Sequence, residues 1–108
     1  MNLIKKTEEK IAEFTNKIVN KFHPEKVILF GSHAWGKPDE NSDIDFFVVQ
    51  ESKESKRKRQ MSLRFLLLDF DAPADILSYT YKEIKERERK NDTFIKKVLK
   101  EGKVLYEK

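Results

Sequence analysis

The apolar run Val27-Ile28-Leu29-Phe30 stops at Gly31-Ser32-His33-Ala34-Trp35-Gly36, a segment that holds two of the chain's three glycines. Bounded by Pro24 and Gly31, residues 26–30 read as a short buried strand that must turn sharply at its end. Residues 33–36 fit a single helical turn, and Lys37-Pro38-Asp39-Glu40-Asn41-Ser42 is a loop by composition. Seven residues after Gly36 comes Asp43-Ile44-Asp45, which runs into Phe46-Phe47-Val48-Val49. This predicts a second strand over 43–50. Side chains alternate along a strand, so Asp43, Asp45, Phe47 and Val49 share one face and Ile44, Phe46 and Val48 take the other. Pro73 to Tyr79 is a third strand, with Asp75 near its head.

The rest of the chain carries helical periodicity. Ile4, Ile11, Phe14, Ile18 and Phe22 fall on one side of a helix predicted over 3–22, closed by Pro24. A second long helix is predicted over 53–70, with Leu63, Leu66, Leu67 and Phe70 as its core stripe. Met61, Phe65 and Leu68 widen its apolar surface beyond one face, enough to cover a second layer or a partner. Thr80-Tyr81-Lys82-Glu83 is a capping box that opens a further helix. Asn91 or Asp92 caps a last helix carrying Phe94, Ile95, Val98 and Leu99, stopped by Gly102. The order helix, strand, strand, helix, strand, helix, helix implies an α/β (α+β) layer fold, a small mixed sheet flanked by helices.

At 108 residues the chain reads as one domain over 1–108. Charged residues make up 39%, but the apolar ones are clustered, which argues for a globular domain with a heavily charged surface. A net charge of +4 mildly favours polyanions and is too small to predict direct nucleic-acid binding. With no cysteine, disulfides and thiolate metal sites are excluded. No signal peptide or membrane span is read from the sequence, so a cytoplasmic location is expected.

The chemistry concentrates in the glycine-serine turn and the three aspartates. A glycine lets backbone N–H groups approach a phosphate closely, and Ser32 adds a hydroxyl donor. Gly36 lets the next loop pass close to a bound nucleotide. Asp43 and Asp45 offer hard oxygen ligands from one rigid edge, the kind magnesium prefers, and Asp75 can complete the set or take a proton from an attacking hydroxyl. Singly, each feature is common in turns and strand ends; their occurrence in order makes them a set. Lys53, Lys56, Arg57, Lys58, Arg59 and Arg64 form a basic run against one acid, Glu54. It reads mainly as a solvated helix face. Arg57 and Arg64, two turns apart on one side, are candidates to reach a triphosphate.

The pattern Gly31-Ser32-His33-Ala34-Trp35-Gly36, then Ser42-Asp43-Ile44-Asp45, then Asp75-Ile76 resembles the DNA polymerase β-like nucleotidyltransferase superfamily. Within it the chain is similar to the minimal nucleotidyltransferases, over most of its length. The resemblance implies nucleotidyl transfer from ATP with two Mg2+ ions. Asp43, Asp45 and Asp75 would be metal-binding and catalytic, and Gly31, Ser32 and Gly36 nucleotide-binding. Many members have arginine where this chain has Trp35, which is read here as packing against the sheet in preference to stacking on a base. His33, in the same turn, is read as a satisfied histidine in preference to a phosphate ligand.

The chain's size leaves no room for an acceptor-binding domain, so the acceptor is expected on another subunit. Minimal members resemble the antitoxin half of a two-gene module whose partner is a HEPN-domain toxin, and the implied activity is attachment of AMP to that toxin. Two other readings stay open: an antitoxin that neutralises by binding alone, and a transferase of small hydroxylated molecules acting from a dimer cleft. The sequence also leaves open whether the chain forms homo-oligomers or hetero-oligomers with the toxin.

Overall fold

The computed structural model describes residues 3–39 and 41–108, with side chains from Lys6 onward apart from Glu40. The first helix, α1, spans Leu3–Phe22 and β1 spans Lys26–Phe30. A four-residue helix α2 (Ser32–Trp35) follows, then β2 (Ile44–Val49) and α3 (Lys56–Leu66), which runs into a 3-10 turn at Leu67–Asp69. After β3 (Ala74–Tyr79) come α4 (Tyr81–Arg89), α5 (Thr93–Glu101) and β4 (Lys103–Glu107).

The four strands lie in the order β3-β2-β1-β4. The β1–β2 and β1–β4 pairs are antiparallel, and β2–β3 is parallel, so the sheet is mixed as predicted. Alternation divides its side chains between two cores. Val27, Leu29, Ile44, Phe46, Val48 and Ile76 meet Ile11, Phe14 and Ile18 of α1 and Leu63 of α3. Ile28, Phe30, Phe47, Val49 and Tyr79 meet Ile84 of α4 and Ile95 and Val98 of α5. Phe14 anchors the first core, with ring centroids 4.9 Å from Phe46 and 5.0 Å from Phe70. Phe22, Leu66, Leu67 and Phe70 pack at its margin, and Ile4 lies outside the described side chains.

Two expectations are corrected. The helix predicted over 53–70 starts later, because the Ser55 side chain accepts from the Lys58 N–H and caps it, and it tightens into a 3-10 turn before Phe70. The tail beyond Gly102, given no strand above, adds β4 to the edge beside β1. A β-carbon on Gly102 would stand 2.4 Å from the Val98 carbonyl oxygen and 2.5 Å from Ile28 Cγ2. Only glycine lets α5 turn so tightly into β4. Asp92 is the cap of α5, accepting from the Ile95 N–H, while Asn91 sits at the end of α4 with φ of 58°.

At the opposite edge of the sheet, the Gln60 side chain pairs with the exposed side of β3. Its amide N–H donates to the Ile76 carbonyl, and its oxygen accepts from the Ser78 N–H at 2.9 Å. A side chain thus satisfies backbone groups that an edge strand would otherwise present to another chain. Beside it Arg59, 4% exposed, donates to Ser78 Oγ, to the Glu54 carbonyl and to Glu83. The basic run is therefore not solvated throughout: Arg59 fastens α3 to β3 and α4. Lys56 Nζ lies 3.7 Å from the centre of the Tyr79 ring, a cation–π contact in place of a free ammonium. Among the described residues, no helix is long and apolar enough to cross a membrane.

Candidate active site

The end of the sheet where β1 finishes and β2 and β3 begin collects the residues singled out above, Arg57 excepted. In the antiparallel pair Phe30 stands opposite Asp45, and in the parallel pair Asp45 stands opposite Asp75. Asp43 precedes β2 by one residue. Gly31-Ser32 follows β1 directly and opens α2, which packs on β1 and β2. Three segments distant in sequence thus deliver their acids and their turn to one place. The aspartates lie on the sheet face of Phe47, Val49 and Tyr79, the face that α4 and α5 cover further along.

Asp45 is the electrostatic centre. Its pKa is pushed up from 3.8 to about 6, first by burial, then by the negative charges of Asp43 and Asp75, with His33 opposing. Asp75 Oδ1 accepts from the Ile76 N–H at 2.9 Å and lies 3.8 Å from Arg64 Nη2. Of the two arginines proposed to reach a triphosphate, the fold brings Arg64 to the acids. Arg57 lies about 10 Å further back along the helix axis, exposed and toward the far end of β3.

Gly31 has a use that local sequence does not reveal. Its φ is 80°, in the left-handed region, and a β-carbon there would lie 2.3 Å from Asp45 Oδ2. The missing side chain is the space in which the Asp45 carboxylate sits. The Gly31 carbonyl accepts from the N–H groups of Ala34 (2.9 Å) and Trp35 (3.0 Å), which closes the turn. Gly36 ends α2, its N–H donating to the Ser32 carbonyl. His33 Nε2 is 3.3 Å from the Ser42 carbonyl oxygen and, when protonated there, donates to it. This ties α2 to the residue just before Asp43, a positioning contact across nine residues of chain.

Trp35 packs as predicted, its ring centre 6.4 Å from that of Phe30, with Lys97 Nζ of α5 4.8 Å away. Phe94 adds an edge-on contact to Phe30 at 5.3 Å. Lys97 and Phe94 were not expected near this end of the sheet. They reach it only because α5 folds back across β1, and no local pattern marks that.

Among the described residues, no three His, Asp or Glu side chains stand close enough as placed to hold a metal ion. The chemistry of the donor set fits a hard divalent cation all the same. Three carboxylates converge on one sheet end, and the negative charge that adds to burial in raising Asp45 is what such a cation relieves. A groove of about 810 Å³ lies elsewhere, against α1 and the back of the loop before β2. Ile11, Thr15, His33, Ser42 and Asp71 line it, and none of the three aspartates does.

The family model for polymerase β nucleotidyltransferases matches residues 9–108. The chain belongs to this nucleotidyltransferase family. A nucleotidyltransferase domain therefore spans both cores and every site residue just described. The chain is also similar to MJ0604 of Methanocaldococcus jannaschii, which carries the provisional name protein adenylyltransferase. The two are 34% identical over 113 aligned positions, covering 92% of this chain and 97% of that one. Two solved structures share the nucleotidyltransferase fold. One, from Sulfolobus solfataricus and provisionally named a nucleotidyltransferase, has a TM-score of 0.65 at 17% identity, covering 93% of this chain and 79% of that one. The other, a toxin–antitoxin structure with AMP-PNP, has a TM-score of 0.61 at 22% identity, covering 90% and 73%.

Proposed function

We propose that this chain is a magnesium-dependent protein adenylyltransferase that moves AMP from ATP to a hydroxyl of a HEPN-domain toxin and so acts as its antitoxin. The observation that carries the reading is the register of the sheet, which sets Asp45 beside Asp75, with Asp43 and the Gly31-Ser32 turn at the same end. The family supplies the reaction class. The relative provisionally named a protein adenylyltransferase, matched over nearly its whole length, supports a protein acceptor. The toxin–antitoxin structure with AMP-PNP supports both the nucleotide and the kind of partner.

In this reaction the acceptor oxygen attacks the α-phosphorus. The bond from that phosphorus to the bridging oxygen breaks, and pyrophosphate leaves with the electron pair. Asp43, Asp45 and Asp75 are the residues that would hold two Mg2+ ions, whose charge would stabilise the attacking and leaving oxygens. Ser32 offers its hydroxyl to a phosphate oxygen. Asp75, half-buried at the head of β3, would complete that set or take the acceptor proton. Arg64 beside it supplies a positive charge for the leaving pyrophosphate.

The test is incubation with ATP labelled on the α-phosphate, Mg2+ and a HEPN-domain toxin from the same genome. Label should pass to that protein from the wild type and not from Asp43→Ala. If no label passes, and Asp43→Ala neutralises the toxin as well as the wild type, neutralisation is by binding alone.

A further inference from the structure

We infer that the outer face of α3 is where the acceptor protein docks, and that the acceptor presents to it an apolar patch rimmed by acidic side chains. The inference rests on the reading above that the acceptor is a protein. Met61, Phe65 and Leu68 are 50%, 64% and 77% exposed. Spaced four and three residues apart, they form one stripe along the helix and its 3-10 extension. Arg59 and Leu63, on the far side of the same helix, are buried. The helix is therefore apolar at its most solvent-facing line as well as toward the core. Single exposed apolar residues are ordinary on a surface; an aligned stripe of large ones is a contact surface.

The rim gives the partner's chemistry. By helical angle, Arg57 and Arg64 flank the stripe on one side and Lys58 on the other. Lys56–Leu66 contains five basic residues and no acidic one. A second copy offering the same face would set like charge against like, so the complement is acidic.

Position sets what the face is for. Arg64, on this rim, stands 3.8 Å from Asp75, so the stripe borders the candidate site. A protein lying along α3 has its own side chains next to the carboxylates, where the reaction needs a hydroxyl. Anionic lipid would match the charge but has no comparable reason to lie at this place.

The discriminating variant is the full chain carrying Phe65→Glu with Leu68→Glu, both exposed and neither in the site. Binding of Mg-AMP-PNP, followed by calorimetry, should match the wild type. The Kd for the HEPN protein should rise at least about tenfold, with KM for it rising in parallel and kcat at saturation retained. Phe65→Ala with Leu68→Ala should weaken binding less, and it serves if the glutamate pair does not fold. Unchanged affinity for the HEPN protein in both variants overturns the inference. So does lost nucleotide binding with the protein complex intact, which would assign the face to the triphosphate. Wild type that binds Mg-AMP-PNP but neither binds nor labels the HEPN protein overturns the functional reading, and this inference with it. Vesicles of phosphatidylglycerol and phosphatidylcholine that bind wild type but not the variant, with the protein complex unaltered, would give the face to a membrane instead.

Discussion

Two half-buried carboxylates at opposite ends of the same sheet titrate in opposite directions. Asp45, where β2 begins, is raised to about 6 by burial and by Asp43 and Asp75. Glu83 sits beyond the far end of β3. Burial works to raise it too, but hydrogen bonds from Arg59 and from the Thr80 N–H, with the charges of Arg59 and Lys56, outweigh that and leave its pKa lowered. Burial works to raise both acids, and they differ in company. At Glu83 an arginine and a capping box satisfy the charge, and α3, β3 and α4 are joined through it. At Asp45 the neighbours are more acids. One end of the sheet is built as a fastening, and the other carries repulsion that a bound cation would relieve. That difference separates structure from candidate function within one small sheet.

The contrast breaks most visibly if the two ends are neutralised in turn. Asp45→Asn should lower AMP transfer by on the order of 10³-fold, measured as label incorporated per folded molecule, while leaving the fold intact. Arg59→Met should do the reverse. It leaves Glu83 and Ser78 without their partner and should cost about 2–4 kcal/mol in urea denaturation, with kcat of the folded fraction within about twofold of wild type. An Arg59→Met protein of wild-type stability with impaired transfer would mean the fastening is part of the site.

How much of this was legible beforehand follows from where each signal resides. The long apolar period of α1 and the alternation of β2 are local, so Ile11, Phe14 and Ile18, and the split between Phe46 and Phe47, follow from spacing alone. The three aspartates were legible as a set because strand alternation and chain order constrain them. The strand β4 was not. It is short, charged at both ends and buried only in part, and its identity comes from pairing with β1, including the Lys26–Glu107 ion pair at 3.5 Å. Arg59 looks like its basic neighbours in sequence, and only the crossing of α3 over β3 buries it. Arg57 and Arg64 share a helix face but not a position along the axis, and periodicity reports the first and not the second. Gly31 fits a phosphate turn locally. Its closeness to Asp45 appears only once Phe30 pairs with that residue.

A smaller effect tests Gly31 itself. In Gly31→Ala the new β-carbon meets the Asp45 carboxylate while the backbone holds a φ of 80°. About 1–2 kcal/mol of backbone strain is expected, together with displacement of Asp45. Stability and metal affinity should therefore fall together, seen by thermal denaturation and by Mg2+ calorimetry. If stability falls but Mg2+ binding is unchanged, the glycine serves the turn alone.

The finest test is the pH dependence of stability without added cation. Asp45 has a folded pKa of about 6 against an ordinary 3.8, so between those values the native state holds a proton that the unfolded chain has lost. Its unfavourable contribution is complete above about pH 6, fades as the pH falls, and is gone below about 3.8. The displacement corresponds to about 3 kcal/mol before solvent screening and about 1–2 kcal/mol after it, since the group is only partly buried. Glu83 acts with the opposite sign: its folded pKa is below 4.5, so its stabilising contribution is complete above that value and is lost as the pH falls below it. Asp45→Asn should therefore melt a few degrees above wild type at pH 7.5 and converge with it near pH 4. Glu83→Gln should differ most from wild type at neutral pH and least in strong acid. Millimolar Mg2+ should close the gap between Asp45→Asn and wild type at pH 7.5 by stabilising the wild type alone. Parallel melting curves for Asp45→Asn and wild type across this range would show that the acids at that end do not repel one another, and the contrast between the two ends would fail.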